Sequence, residues 1–195
     1  SIMTLEINRI HQSSSQPLGV YVVADGMGGH AAGEVASGTI VNIIAQKALK
    51  DLMPDEAGHG QKDERQRWLR EAVESANAAV FDMRKQAGTD MGSTLVAAVL
   101  DGNQAYVAHI GDSRAYLINA DGVHRLTIDH SLVERLIATN QITREEARVH
   151  PQRNVIYRTI GDKATVDVEV STHQLEVGDY LLLCSDGLSG MVDDQ

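Results

Sequence analysis

Apolar residues fall along this chain in two rhythms, and the switches between them divide it into elements. Gly19 to Ala24 (GVYVVA) is a short unbroken apolar run, the pattern of a strand covered on both faces. A strand over residues 1–7 and a polar connection over residues 11–17 are predicted before it. After Asp25 come glycines 26, 28 and 29, and a helical spacing begins near Glu34, with Ala36, Ile40, Ile43 and Ile44 on one face. A second helix is predicted over 63–86, where Leu69, Ala72, Ala76, Ala79, Val80 and Met83 form an apolar stripe. Trp68 beside that stripe reads as a packing residue.

The rhythm then shortens to that of strands, expected over 93–100, 104–110, 114–119 and 123–127. Asp101-Gly102 and Asp121-Gly122 lie between them, and Asp-Gly is a strong hairpin signal because both residues tolerate positive φ. Ala105 to Ile110 is mostly apolar on both alternating faces, so this sheet must be covered on both sides. Residues 129–161 break the pattern. Ser131…Glu134 and Thr143…Glu146 have capping-box spacing, each opening a short helix, and His150-Pro151 ends the second one. Strands resume over 165–170 and 179–184. The fold class expected is α+β: two packed antiparallel sheets with helices outside and a helical insert at 129–161.

A length of 195 residues suits one domain. The net charge of -10, from 27 acidic and 17 basic residues, argues against nucleic-acid or anionic-membrane partners in the absence of a basic patch, and the basic residues are scattered among acids. One cysteine, Cys184, excludes an internal disulfide and a multi-thiolate zinc site, and its place in an apolar strand makes it a buried hydrophobe. No apolar stretch approaches the roughly 18 residues of a membrane span, and no signal-peptide pattern opens the chain. A soluble, cytoplasmic monomer is expected.

Three apolar strands stop at an aspartate followed by glycine or serine: Asp25-Gly26, Asp112-Ser113 and Asp186-Gly187. Each alone reads as a turn residue. Together, on buried strands of one small domain, they would form an acidic cluster that protons or divalent cations must neutralise. The donors available are oxygens only, which suits magnesium or manganese over zinc. Two such ions sharing an aspartate can hold a bridging water, lower its pKa and generate a hydroxide that attacks phosphorus in line. No G-x-S-x-G elbow supplies a protein nucleophile. Gly26-x-Gly28-x-x-Ala31 also matches a dinucleotide fingerprint, but Asp25 puts a negative charge where pyrophosphate would lie, and no second parallel strand follows.

The stretch Asp25-Gly-Met-Gly-Gly-His30-Ala-Ala-Gly-Glu34-Val-Ala-Ser37 resembles the signature of bacterial metal-dependent protein serine/threonine phosphatases of type 2C. Met91-Gly-Ser-Thr94, Gly111-Asp-Ser-Arg114, Asp129-His-Ser131 with His150-Pro-Gln-Arg-Asn154, and Ser185-Asp-Gly-Leu188 follow in the family's order. The resemblance implies an α-β-β-α sandwich and hydrolysis of phosphoserine and phosphothreonine in proteins. It also implies two metal ions bridged by Asp25, one of them bound by the Gly26 carbonyl. Asp186 would be a ligand of the first metal, and Asp112 with Asp186 would hold a weaker third ion. The insert at 129–161 would be a flap over the substrate, Arg114 an ion-pair partner, and a serine/threonine kinase and its targets the partners. Some relatives carry a histidine acid where this chain has Met27; His30 is the nearest alternative for a catalytic acid, against a turn or hydrogen-bonding role. The family's upstream Arg-x-x-Asn-Glu-Asp and downstream Asp-Asn elements do not occur in the chain, so truncation at both ends is expected. A pseudophosphatase that binds phosphoproteins without turnover is the alternative.

Overall fold

The computed structural model describes residues 1–11, 14–52 and 62–192. β1 (Ile2–His11) and β2 (Ser14–Val23) form a long antiparallel hairpin. Much of the segment expected as a polar connection is therefore strand, with Pro17 paired to Asn8 near the hairpin end. β2 continues the sheet through β5 (Leu95–Asp101), β6 (Gln104–Ile110) and β9 (Glu169–Gln174), giving the antiparallel order β1-β2-β5-β6-β9. A second sheet has the order β10-β7-β8, from β7 (Arg114–Asn119), β8 (Gly122–Arg125) and β10 (Tyr180–Cys184). Two-residue strands β3 (Gly26–Met27) and β4 (Gly92–Ser93) pair beside them.

Helices α1 (His30–Asp51) and α2 (Lys62–Ala87) cover one face of the large sheet. Strand alternation shows how β5 serves two layers. Leu95, Ala97 and Val99 join Ile40, Ile44, Leu69, Val73 and Val80 in the core under the helices. Val96 and Ala98 turn the other way, onto Val107, Ala115, Leu181 and Leu183 between the sheets. Each fully buried aliphatic side chain contributes on the order of 1.5–3 kcal/mol, so the double-faced apolar pattern holds the layers together. Trp68 is buried and donates its Nε1–H to Asp51 Oδ2 at 3.2 Å, and Cys184 is buried at the end of β10.

α1 starts at His30, earlier than the apolar spacing suggested, because Gly29 supplies the non-helical N-cap and alanines follow. The last two strands also shift. The chain from Val166 to Val168 packs into the core without forming a strand; α2 side chains hold the Val168 carbonyl and those just before this stretch, and Arg158 holds that of Asp167. Asn77 Nδ2 donates to the carbonyls of Lys163 and Ala164, and Arg70 Nη1 to that of Val168. Pairing with β6 begins only at Glu169. Within the insert, α3 (Leu132–Ala138) and α4 (Arg144–Arg148) stand where the capping signals put them. Among the described residues no helix is long and apolar enough to cross a membrane.

Candidate active site at the strand ends

β6 and β7 are consecutive yet belong to different sheets, so Gly111-Asp112-Ser113 crosses from one layer to the other. Asp25 lies just past β2, and Asp186 opens α5 (Asp186–Ser189) just past β10. Three strand ends from two sheets thus come to one edge of the sandwich. The carboxyl of Asp186 lies close enough to that of Asp25 to feel its charge; Asp112 in turn feels the charge of Asp186.

Backbone contacts fix these ends. Thr94 N–H donates to the Asp25 carbonyl at 2.8 Å, Ser93 Oγ donates to the same oxygen at 2.9 Å, and Asp25 N–H donates to Thr94 Oγ1 at 3.2 Å. Thr94 Oγ1 also meets Ser113 Oγ at 2.6 Å, so one buried hydroxyl links the Asp25 and Asp112 turns. Ser93 and Thr94 act on the aspartate's backbone, as hydrogen-bonding residues rather than nucleophiles. At Gly26 a Cβ would stand 1.9 Å from the Gly33 carbonyl, so α1 packs onto β3 at backbone distance. Gly111 has φ +99°, and a Cβ there would meet Thr94 Cγ2 at 2.8 Å.

Burial, and then the negative charge of Asp186 and Asp129, pushes the Asp112 carboxyl up to about 6; Arg114 offsets this only in part. Burial, and then the charge and hydrogen bond of Asp25, raises Asp186. Excess negative charge at an all-oxygen cluster is the setting that magnesium or manganese relieves, so the donor set fits a hard divalent cation.

Arg114 is occupied elsewhere. Its Nε and Nη2 donate to the buried Asp129 carboxylate at 3.0 and 2.8 Å, and Arg125 Nη2 donates to the other side at 2.6 Å. Ser131 caps α3, accepting from Glu134 N–H at 3.3 Å. His109 is a satisfied core residue, its Nε2–H on the Ile128 carbonyl at 2.7 Å. His150 caps a turn by accepting from Gln152 N–H at 3.1 Å. The side chain of His30 lies outside the described residues.

His109, His130 and Glu169 offer ligand atoms within 4.8 Å of one another. A guanidinium takes the place a metal would need there: Arg158 Nη1 lies 2.9 Å from Glu169 Oε1 and 3.1 Å from His130 Nε2. The role of His130 was not legible in the chain.

A cleft of about 310 Å³ opens beside β3, lined by Met27, Gly92, Arg84, Asp90, Tyr157 and Asp162. Met27 sits two residues beyond Asp25 on one wall, and Tyr157 of the insert forms part of another. Arg84 holds the far end, 3.1 Å from Asp162 and 3.5 Å from Asp90.

Comparison with known proteins places this geometry in a family. The profile of protein phosphatase 2C matches residues 8–195, and the chain belongs to that family. It is 43% identical over 173 residues to protein phosphatase PhpP of Streptococcus pneumoniae, covering 88% of this chain and 68% of that protein. The solved serine/threonine phosphatase of S. agalactiae superposes with a TM-score of 0.79 at 31% identity, covering all of this chain and 83% of that one. The catalytic domain of the serine/threonine protein phosphatase PstP, solved in complex with two manganese ions, superposes with a TM-score of 0.74 at 31% identity, covering all of this chain and 80% of that one.

Proposed function

We propose that this chain removes phosphate from phosphoserine and phosphothreonine in proteins, in a reaction that depends on magnesium or manganese held by Asp25, Asp112, Asp186 and the Gly26 carbonyl. The observation that carries the reading is the contact between the Asp25 and Asp186 carboxyls with Asp112 beside them, in a chain of the protein phosphatase 2C family. Two divalent ions, and a third held more weakly by Asp112 and Asp186, would neutralise the phosphoryl oxygens and lower the pKa of the attacking water.

The chain's own residues have three tasks. Asp25 and Asp186 present carboxylate oxygens from fixed backbone positions, Asp25 being pinned by Ser93 and Thr94. The cleft at Met27 and Tyr157 takes the residues flanking the phosphorylated one, with 129–161 as the flap that shapes access. Attack by water forms a new P–O bond as the bond to the serine or threonine oxygen breaks, and that oxygen must gain a proton; His30 is the candidate donor. A phosphorylated protein, such as a serine/threonine kinase or its target, is the substrate, and the domain acts as a monomer in the cytoplasm.

Manganese-dependent release of phosphate from a phosphothreonine peptide tests this. Release that stops with chelator and returns with manganese is expected. A protein that binds the phosphopeptide without releasing phosphate at saturating manganese would be a pseudophosphatase instead.

A further inference from the structure

We propose that His130 is a positioning residue for the Gly111–Asp112 turn, locking the turn that carries Asp112 to the base of the 129–161 insert. The proposal rests on the metal-holding role of Asp112 given above, and deepens it.

Two backbone-level bonds make the lock. Gly111 N–H donates to His130 Nδ1 at 3.0 Å, and His130 N–H donates to the Gly111 carbonyl at 2.8 Å. A backbone amide can only donate, so Nδ1 carries the lone pair and the proton sits on Nε2. Nε2–H then donates to Glu169 Oε1 at 3.0 Å, and Arg158 Nη1 donates to the same oxygen at 2.9 Å. The ring is 3% exposed and stacks on His109, with centroids 4.6 Å apart and planes 17° apart. Both ring nitrogens are engaged and the faces are covered, so the imidazole has no atom left for substrate.

The other side of residue 130 reaches the insert. Its carbonyl accepts from Tyr157 N–H at 2.9 Å, and Leu132 N–H donates to the Val155 carbonyl at 2.8 Å. Tyr157 lines the cleft. One residue therefore ties a turn that precedes Asp112 to the stretch that walls the substrate cleft. A packing residue would not need both nitrogens in defined roles. Gly111 makes the lock consequential: its positive φ and the close Thr94 methyl leave the turn a narrow conformation that the imidazole bond holds in register.

Amide replacements separate the two nitrogens. An asparagine oxygen stands close to where Nδ1 stood and can accept from Gly111, whereas a glutamine amide reaches the Nε2 position and leaves Gly111 N–H unpaired. The weakest manganese site, titrated by calorimetry, is expected to lose about tenfold affinity in His130→Gln. In His130→Asn it should stay within about threefold of the native chain. Hydrogen exchange at the Gly111 amide should quicken by about tenfold or more in His130→Gln and stay slow in His130→Asn. Equal loss in both variants, or native behaviour in both, would overturn the proposal. In the unaltered chain, nitrogen NMR is expected to find His130 protonated at Nε2 with Nδ1 coupled to the Gly111 amide; the opposite tautomer would overturn it without any variant having to fold. Absence of manganese binding in the native chain would sink the metal-dependent function, while the tautomer and the Gly111 exchange rate still decide the lock.

Discussion

Asp25 and Asp186 bring their carboxyl groups to one place, although one follows β2 and the other follows β10. This edge of the sandwich therefore concentrates negative charge of the kind that a divalent cation neutralises.

Replacing one carboxylate should uncouple stability from activity. Asp186→Asn keeps a hydrogen-bonding partner for Asp25 and removes one negative charge. Its metal-free melting temperature is expected to rise by about 2–4 °C, a gain on the order of 1 kcal/mol. Manganese-dependent phosphopeptide hydrolysis should drop by about 100-fold or more, as loss of a ligand exceeds the usual cost of losing a ligand's support. Full activity in this variant would remove Asp186 from the metal set.

The pH dependence of the metal-free protein carries a definite sign. Asp112 has its folded pKa raised from 3.8 to about 6, so the folded state holds its proton more tightly than the unfolded chain does. The stability it contributes is complete below the unfolded value and is lost as pH rises through about 6, by no more than about 3 kcal/mol. Asp186, also raised, acts in the same direction. His109 and His130, both lowered by burial, act oppositely: their contribution is present above the unfolded value near 6.5 and is lost as pH falls through their lower folded values. Melting curves of native protein and Asp112→Asn in chelator isolate the first effect. The variant's advantage should grow between pH 4 and 7, scaling with the ~1.4 kcal/mol per pKa unit of linkage, and saturating magnesium should abolish the native decline.

Arg114 lies next to the cluster but serves Asp129. Removing it leaves that buried carboxylate with Arg125 as its ion-pair partner among the described residues. Arg114→Ala is expected to cost about 3 kcal/mol in chemical denaturation, with KM for a phosphopeptide changed less than about twofold at a temperature where the variant is folded. A large rise in KM without loss of stability would make the guanidinium a phosphate clamp.

The contact of α1 with β3 has no room for a side chain. Gly26→Ala would put a methyl 1.9 Å from the Gly33 carbonyl, forcing the helix off the strand. A loss of about 1–3 kcal/mol is expected, as for overpacked cores, together with weaker manganese binding because the displaced turn carries Asp25. An unperturbed melting curve would contradict the observed packing.

Much of the architecture was legible from spacing. The apolar run over 19–24, the helical stripe of α2 and the two Asp-Gly hairpins each form from contacts close in sequence, so local pattern sufficed. Register did not follow as readily. Asp101 pairs with Gln104, and Asn119 with Gly122, so the Asp-Gly pairs straddle the turn ends instead of filling the two central positions. Nor could alternation reveal that β6 and β7 part into separate sheets, because strands facing one core and strands facing two spell the same apolar run. The Val166–Val168 stretch looked like strand and is not, since Asn77 and Arg70 of α2 claim nearby carbonyls.

The two capping signals mark the boundary between sequence and tertiary structure. Thr143 and Glu146 form the full reciprocal box, a bond pattern closed within four residues. Ser131 and Glu134 have the same spacing, yet the Glu134 carboxylate turns to Arg125 and Arg144. Residue order alone determined the two long helices, most of the strands and the three acids at strand ends. Which carboxylate meets which, that Arg114 belongs to Asp129, and that His130 grips Gly111 were decided by the packing of two sheets, because those partners come from distant elements and become neighbours only once the layers close.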